Sequence, residues 1–196
     1  MRKSIITLII LAATVVSASA QPRAIGLRIG ACGFEADYQH NMNKTQFIEG
    51  NLGLDFGYNA TGAPGIKATA TYNFVWARPA WTNKGSWALY AGPGATIGYV
   101  NDMAVWKDKE GVEVLYSAAQ NGFMLGVCGQ VGLEYTFWFP LQLSIDLRPS
   151  IGMHVSGGCR YTEPATGVQV KYGPRVGFYD NGLLGLSPTL SVRYRF

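Results

Sequence analysis

Apolar and polar side chains alternate one for one along much of this 196-residue chain. A period of two marks extended strands with one dry face and one wet face. Residues 141–151 show it most cleanly: Leu141, Leu143, Ile145, Leu147 and Ile151 oppose Gln142, Ser144, Asp146, Arg148 and Ser150. In 123–137, Phe123, Leu125, Val127, Val131, Leu133, Tyr135 and Phe137 share a face against Met124, Gly126, Cys128, Gln130, Gly132 and Glu134. Only Trp138, Phe139 and Pro140 lie between these two segments, which predicts a tight hairpin. Segments 48–59, 66–76 and 87–99 repeat the alternation, the last with Gly92, Gly94, Thr96 and Gly98 on its polar face. In 24–38 the apolar parity switches at Cys32-Gly33, from Ile25, Leu27 and Ile29 to Phe34, Ala36 and Tyr38, which reads as a β-bulge.

These segments, with 184–196, make seven strands. A closed up-and-down barrel with both ends of the chain on one side needs an even number. The best eighth candidate is 167–179, where Val168, Val170 and Tyr172 alternate with Gln169 and Lys171 before Pro174. That partition puts the long 100–121 segment at the end that holds the termini and the 138–140 turn at the other. The fold class expected is all-β, an antiparallel up-and-down transmembrane β-barrel of eight strands. A secreted β-sandwich also alternates. Two features favour the barrel: aromatics gather at the ends of the apolar faces (Tyr72, Phe74, Trp76; Tyr135, Phe137, Trp138, Phe139), and charges sit in mid-strand on the other face (Asp55, Lys67, Asp146, Arg148).

Residues 1–20 read as a cleaved signal peptide: Arg2 and Lys3, an apolar run from Ile5 to Val16, then Ala18-Ser19-Ala20. The expected mature chain, 21–196, is a single domain of about 176 residues. Without Arg2 and Lys3 it holds 14 basic against 12 acidic residues, so it has little net charge and no basic cluster for nucleic acid. It has no helix-length apolar run, and the 25 glycines and 13% aromatics of the full sequence suit strands and turns. Cys32, Cys128 and Cys159 cannot all pair within one chain and read as small wall or loop residues. No C-x-x-C motif or His/Cys cluster points to a metal, and no cofactor is expected.

The chain resembles the small outer-membrane β-barrel proteins of Gram-negative bacteria, the porin-family β-barrel domain. The likeness runs through Ala24-Ile25-Gly26-Leu27-Arg28-Ile29-Gly30, Tyr90-Ala91-Gly92-Pro93-Gly94-Ala95, Gly129-Gln130-Val131-Gly132-Leu133-Glu134-Tyr135, the Pro140 to Pro149 strand and Ser191-Val192-Arg193-Tyr194-Arg195-Phe196. The ending, with Val192, Tyr194 and a terminal Phe196, resembles the β-signal that delivers such chains to the barrel assembly machinery. The resemblance implies one barrel in the cell outer membrane, with outer-membrane lipid and that machinery as partners. It implies no particular activity.

The polar face holds the candidate site residues: Arg28, Asp55, Lys67, Gln130, Glu134, Asp146, Arg148, Arg193 and Arg195. A three-residue turn at 138–140 places Glu134 opposite Ser144, Gly132 opposite Asp146 and Gln130 opposite Arg148, so Glu134 and Asp146 become diagonal neighbours. They repel unless Arg148, or Arg28, Arg193 or Arg195, sits between them. A lumen ion-pair network that holds the barrel shut is the favoured reading, because an eight-strand interior is just filled by side chains. A gate or narrow ion path is the other. His154-Val155-Ser156 and His40, read as solvated loop histidines, raise lipid-modifying chemistry, but no orienting acid or G-x-S-x-G accompanies them. The expected role is therefore structural or surface-interacting and not enzymatic, with a narrow passive channel as the alternative. The long 100–121 and 152–182 segments could meet an extracellular ligand of unknown identity.

Overall fold

The computed structural model describes residues 22–57, 64–107, 115–157, 159–162 and 169–196. The leader expected over 1–20, and the loop residues Asp108, Lys109, Glu110, Glu113 and Glu163, lie outside them. The strands are β1 (Arg23–Gly30), β2 (Gly33–Asn41), β3 (Gln46–Asp55), β4 (Gly65–Ala77), β5 (Ser86–Lys107), β6 (Leu115–Thr136), β7 (Leu141–Leu147), β8 (Ser150–Ser156), β9 (Cys159–Thr162), β10 (Gln169–Tyr172), β11 (Arg175–Phe178) and β12 (Thr189–Arg195). A short 3-10 helix, Asp180–Leu186, precedes β12.

These pieces form a closed barrel of eight antiparallel strands. Each of β1 to β6 pairs with the next. β7 and β8 together make the seventh strand, since both pair with β6 in one unbroken register from Thr136↔Gln142 to Gly122↔Ser156. The nick between them is at Arg148-Pro149, where proline has no amide hydrogen to donate and Gly129 N–H still bonds the Pro149 carbonyl at 3.1 Å. β11 and β12 make the eighth, which pairs with β8 and β7 on one side and, through β12, closes onto β1 on the other. β9 and β10 carry the β8–β11 hairpin onward in the same register.

Two sequence readings change here. The parity switch at Cys32-Gly33 is a hairpin and no bulge: Ile29 pairs with Phe34 and Gly30 with Gly33 around a two-residue loop, Ala31-Cys32. Gly33 has φ +147°, a conformation that L side chains rarely adopt. A bulge and a two-residue reversal leave the same trace on alternation; only strand pairing tells them apart. The second change follows. Segments 167–179 and 184–196 are two parts of one strand, so the count of eight stands with a different membership. The 138–140 turn now lies at the end that holds Arg23 and Arg195, together with turns 42–45 and 78–85. The far end carries the long connections, the reverse of the placement that the partition above gave.

Much of 100–121 and 152–182, read as loops, is strand. β5 and β6 stay paired out to Lys107↔Leu115, and β8 to β11 form a second ribbon. Around the wall, the outward residues Val192, Leu27, Ala36, Leu52, Ala68, Ile97, Leu125 and Met153 follow one another in pairing register. Val192 also pairs with Leu143, so one circuit climbs ten residues along the seventh strand. Eight strands with that stagger tilt by about 40° and enclose a cylinder of about 8 Å radius. Side chains can fill such a bore.

The packing is inside-out. Ile25, Leu27, Ile29, Leu52, Ile97, Leu125, Val127, Ile145, Ile151, Leu190 and Val192 are exposed, while Arg28, Asp37, Glu49, Asp55, Asp146 and Arg193 are each at most 2% exposed. For the described residues of 24–38, 48–57, 66–76, 87–99, 123–137, 141–151 and 189–196, the alternation assigned to the two faces is therefore correct. A water-soluble sandwich would bury the first set and expose the second.

Candidate functional site: the lumen ion-pair network

The lumen is built from the inward residues of all eight strands. Arg193, on β12, reaches across the bore: Nε donates to Asp37 Oδ2 at 2.6 Å, Nη2 to Glu49 Oε2 at 2.8 Å and Nη1 to Ser144 Oγ at 3.0 Å, with Glu134 Oε2 at 3.7 Å. Arg28, on β1, takes the other Glu49 oxygen at 3.1 Å and makes a two-pronged pair with Asp146. Glu49 is thus the bridge between the two arginines. Gln130 Nε2 and Asn51 Nδ2 also donate to its Oε1, at 3.1 and 3.0 Å. Tyr90 hydroxyl reaches Asp146 at 3.3 Å, and Thr189 hydroxyl bonds the same carboxylate at 3.0 Å.

Toward the far end the pairs are simpler. Arg148 bonds Glu35, and Lys67 Nζ lies 2.5 Å from Asp55. Beyond them a short segment folds into the bore as a plug. Between the paired ends of the seventh and eighth strands, ten residues (179–188) face six (147–152), and the excess folds into the 3-10 helix. This brings Asn181, fully buried, against Asn101 and the Asp102 carboxylate, and Tyr179 hydroxyl to Asp55 at 3.2 Å. Tyr179, Val100 and Met124 form a small apolar cluster there. At the terminal end Phe47 meets Tyr90 edge-on at 5.1 Å, and Gln142 bonds Gln39 at 2.7 Å. Gly132 makes room for Tyr90: a Cβ on it would run into the phenol ring.

The expected register is found, with Glu134 opposite Ser144 and Gly132 opposite Asp146. Arginines separate the two carboxylates as required, Arg193 beside Glu134 and Arg28 on Asp146. Of the nine residues expected in the lumen, Arg28, Gln130, Glu134, Asp146 and Arg193 meet around Glu49, while Asp55, Lys67 and Arg148 lie one level toward the far end. Arg195 is half-buried at the terminal mouth and makes no ion pair among the described residues. Val192 and Tyr194 face outward, and Phe196 exchanges backbone hydrogen bonds with Arg23 at 2.9 and 3.1 Å across the closing seam.

Sequence reasoning passed over Glu49, Glu35 and Asp37. Parity already put each on a polar face; only the curl of the sheet shows that they meet arginines from strands distant in the chain. The histidines are corrected too. Both lie in strands, and His154 is buried with Nε2 3.2 Å from the Val100 carbonyl oxygen, so it is no solvated loop residue. Cys128 is buried on the lumen side and Cys32 sits in the β1–β2 turn, both as free thiols. Burial, opposed by Lys67, pushes the Cys32 thiol up to about 11. Among the described residues no group of His, Cys, Asp and Glu is arranged to hold a metal.

A small polar cavity remains between the network and the plug, bordered by Arg28, Lys67, Arg148, Thr96 and Ser150. Arg148 Nη1 has no hydrogen-bond partner there, with Glu49 4.0 Å away.

No family model matches the chain, and no curated protein matches it. The crystal structure of a major outer membrane protein from Thermus thermophilus aligns over 91% of this chain and 100% of that one, at 14% identity and a TM-score of 0.39. Likeness at that level carries no argument; the fold rests on the strand pairing itself.

Proposed function

We propose that this chain is an integral barrel of the Gram-negative outer membrane, with a structural or surface-interacting role and a lumen closed by ion pairs. The inside-out partition carries this reading: the exterior suits hydrocarbon, and the interior is lined by charges of both signs that pair with one another. The terminal end, with its short turns, faces the periplasm, and the long ribbons face outward, where they can meet a ligand. The 1–20 leader and the Val192, Tyr194, Phe196 ending serve export and delivery to the assembly machinery. The buried His154, spoken for by a backbone carbonyl, favours a non-enzymatic role.

Two measurements test the proposal. Detergent-extracted protein should migrate faster on gels before boiling than after, as folded barrels resist detergent. In a planar bilayer it should pass no steady current. Ohmic openings would move the role to a narrow passive channel, the reading that the cavity beside Arg148 favours. Unchanged migration together with recovery in the soluble periplasm would overturn both.

Deleting Phe196 is expected to lower the amount of barrel in the membrane fraction while export continues. The deletion removes an exposed aromatic and two seam hydrogen bonds at the chain's end. Membrane levels equal to the unaltered protein would remove the assembly role from this residue.

A further inference from the structure

The charges of residues 21–196 divide unevenly among three places. The lumen holds Arg28, Lys67, Arg148 and Arg193 against Glu35, Asp37, Glu49, Asp55, Glu134 and Asp146. In the sequence, 102–113 and 160–180 mix both signs, with Asp102, Glu110, Glu163 and Asp180 among the acids and Lys107, Lys109, Arg160 and Arg175 among the bases. At the terminal end Lys44, Arg78, Lys84 and Arg195 have no acidic side chain in the turns beside them.

One of these cations, Lys84, stands over an aromatic ring, and Lys44 and Arg78 join it through the turns. Lys44, Arg78 and Lys84 are exposed. Arg78 Nη2 donates to the Lys44 carbonyl at 2.8 Å, which joins turn 42–45 to turn 78–85. Tyr135 hydroxyl donates to the Lys84 carbonyl at 2.7 Å, and Lys84 Nζ stands 5.5 Å over the Trp138 ring. Trp81, Trp87 and Tyr135 follow one another at 5.4 and 4.6 Å and run on through Phe137 to Phe139. Aromatic side chains of this kind settle at headgroup depth, with the apolar wall on one side and water on the other. Cations in these turns that pair with no carboxylate among the described residues lack an internal counter-charge there, and a lipid phosphate supplies one.

We propose that the collar formed by Lys44, Arg78, Lys84, Trp87 and Trp138 is a binding surface for the headgroups of anionic phospholipids in the leaflet that surrounds the terminal end. It rests on the membrane reading above. Lys44 from turn 42–45, with Arg78 and Lys84 from turn 78–85, supplies donors to the phosphate, while the rings hold that depth against the acyl chains. Each cation engaged at such a surface favours an anionic over a zwitterionic lipid by about fivefold.

The test refolds the full barrel into bilayers of phosphatidylcholine mixed with phosphatidylglycerol, with one or the other brominated on its acyl chains. Tryptophan quenching then reports which lipid sits at the collar. Brominated phosphatidylglycerol should quench at several-fold lower mole fraction than brominated phosphatidylcholine. That preference should fall in about 0.5 M salt and be lost in the Lys44→Gln, Arg78→Gln, Lys84→Gln variant. Heat-modifiable migration is scored on the same samples. Intact barrels with equal quenching by both lipids overturn this proposal alone. Barrels that insert into neither mixture overturn the membrane reading with it. Preference that survives in the triple variant removes these three residues from the site and overturns the proposal as stated.

Discussion

Replacing Arg193 with leucine is expected to destabilise the barrel by about 3–5 kcal/mol, the cost of removing one partner from a buried charge network. Its guanidinium is the one cation within reach of Asp37, Glu49, Glu134 and Ser144 together, and it is fully buried. Without it Asp37 loses its ion pair, Glu49 keeps only Arg28 at 3.1 Å and the longer contact to Arg148 at 4.0 Å, and Glu134 faces an apolar side chain. Each carboxylate must then remain charged in a place of low dielectric or take up a proton, and both outcomes cost stability. Lysine restores the charge but not the fork that serves four strands at once, so Arg193→Lys should recover only part of the loss. The check is the urea midpoint of the refolded barrel followed by tryptophan fluorescence. A second variant, Arg193→Leu with Glu49→Leu, removes both members of one pair and should lie above Arg193→Leu alone. If the single variant unfolds at the midpoint of the unaltered protein, the network is not what holds the lumen together. Because Arg193 crosses the bore, the same substitution should raise conductance in barrels that still fold.

The second large effect belongs to the outer face. Leu143→Arg should cost about 2–4 kcal/mol if the residue lies near the bilayer midplane. Leu143 stands outward on β7, paired with Val192 and Tyr135, where an arginine has hydrocarbon on every open side. Ser144, its neighbour in sequence, points the other way and receives Arg193 Nη1. Ser144→Arg escapes the lipid penalty but sets a second guanidinium against the first, so it should fail through crowding and charge. Salt and detergent separate the two. The Leu143→Arg defect should shrink in short-chain detergent micelles, where the headgroup can reach water, whereas the Ser144→Arg defect should persist. Equal responses from both variants would contradict the inside–outside assignment.

Glycine and the small hydroxyls make the network possible. Large side chains such as Tyr90, Arg28 and Arg193 fit inside a bore of about 8 Å radius with Gly132, Ser191 and Gly26 standing opposite them in register. The plug follows the same logic. A strand with four residues more than its neighbour must leave the ladder somewhere, and here it does so inward, carrying Asn181 to Asp102 and Tyr179 to Asp55. The terminal collar and the far plug thus give the two ends of the barrel different characters, one basic and aromatic, the other mixed in charge and closed from within.

Which side of each strand faces outward, and which residues stand inside, was already legible in the alternation: Leu143 against Ser144 and Leu125 against Met124 need no partner strand to be assigned, because successive side chains on a strand must point opposite ways. The Glu134–Ser144 and Gly132–Asp146 pairs were legible for a similar reason, since a three-residue turn leaves one register. Direction was not legible. Ala31-Cys32 reverses the chain and Arg148-Pro149 does not, although both interrupt a run of alternating residues, and only the hydrogen-bonded neighbour distinguishes them. Nor could the chain order show that Glu49 joins Arg28 to Arg193, three residues brought together from separate strands when the sheet closes. Local pattern depends on one residue's two faces; the ion network depends on the stagger of eight strands, and that is a property of the closed sheet as a whole.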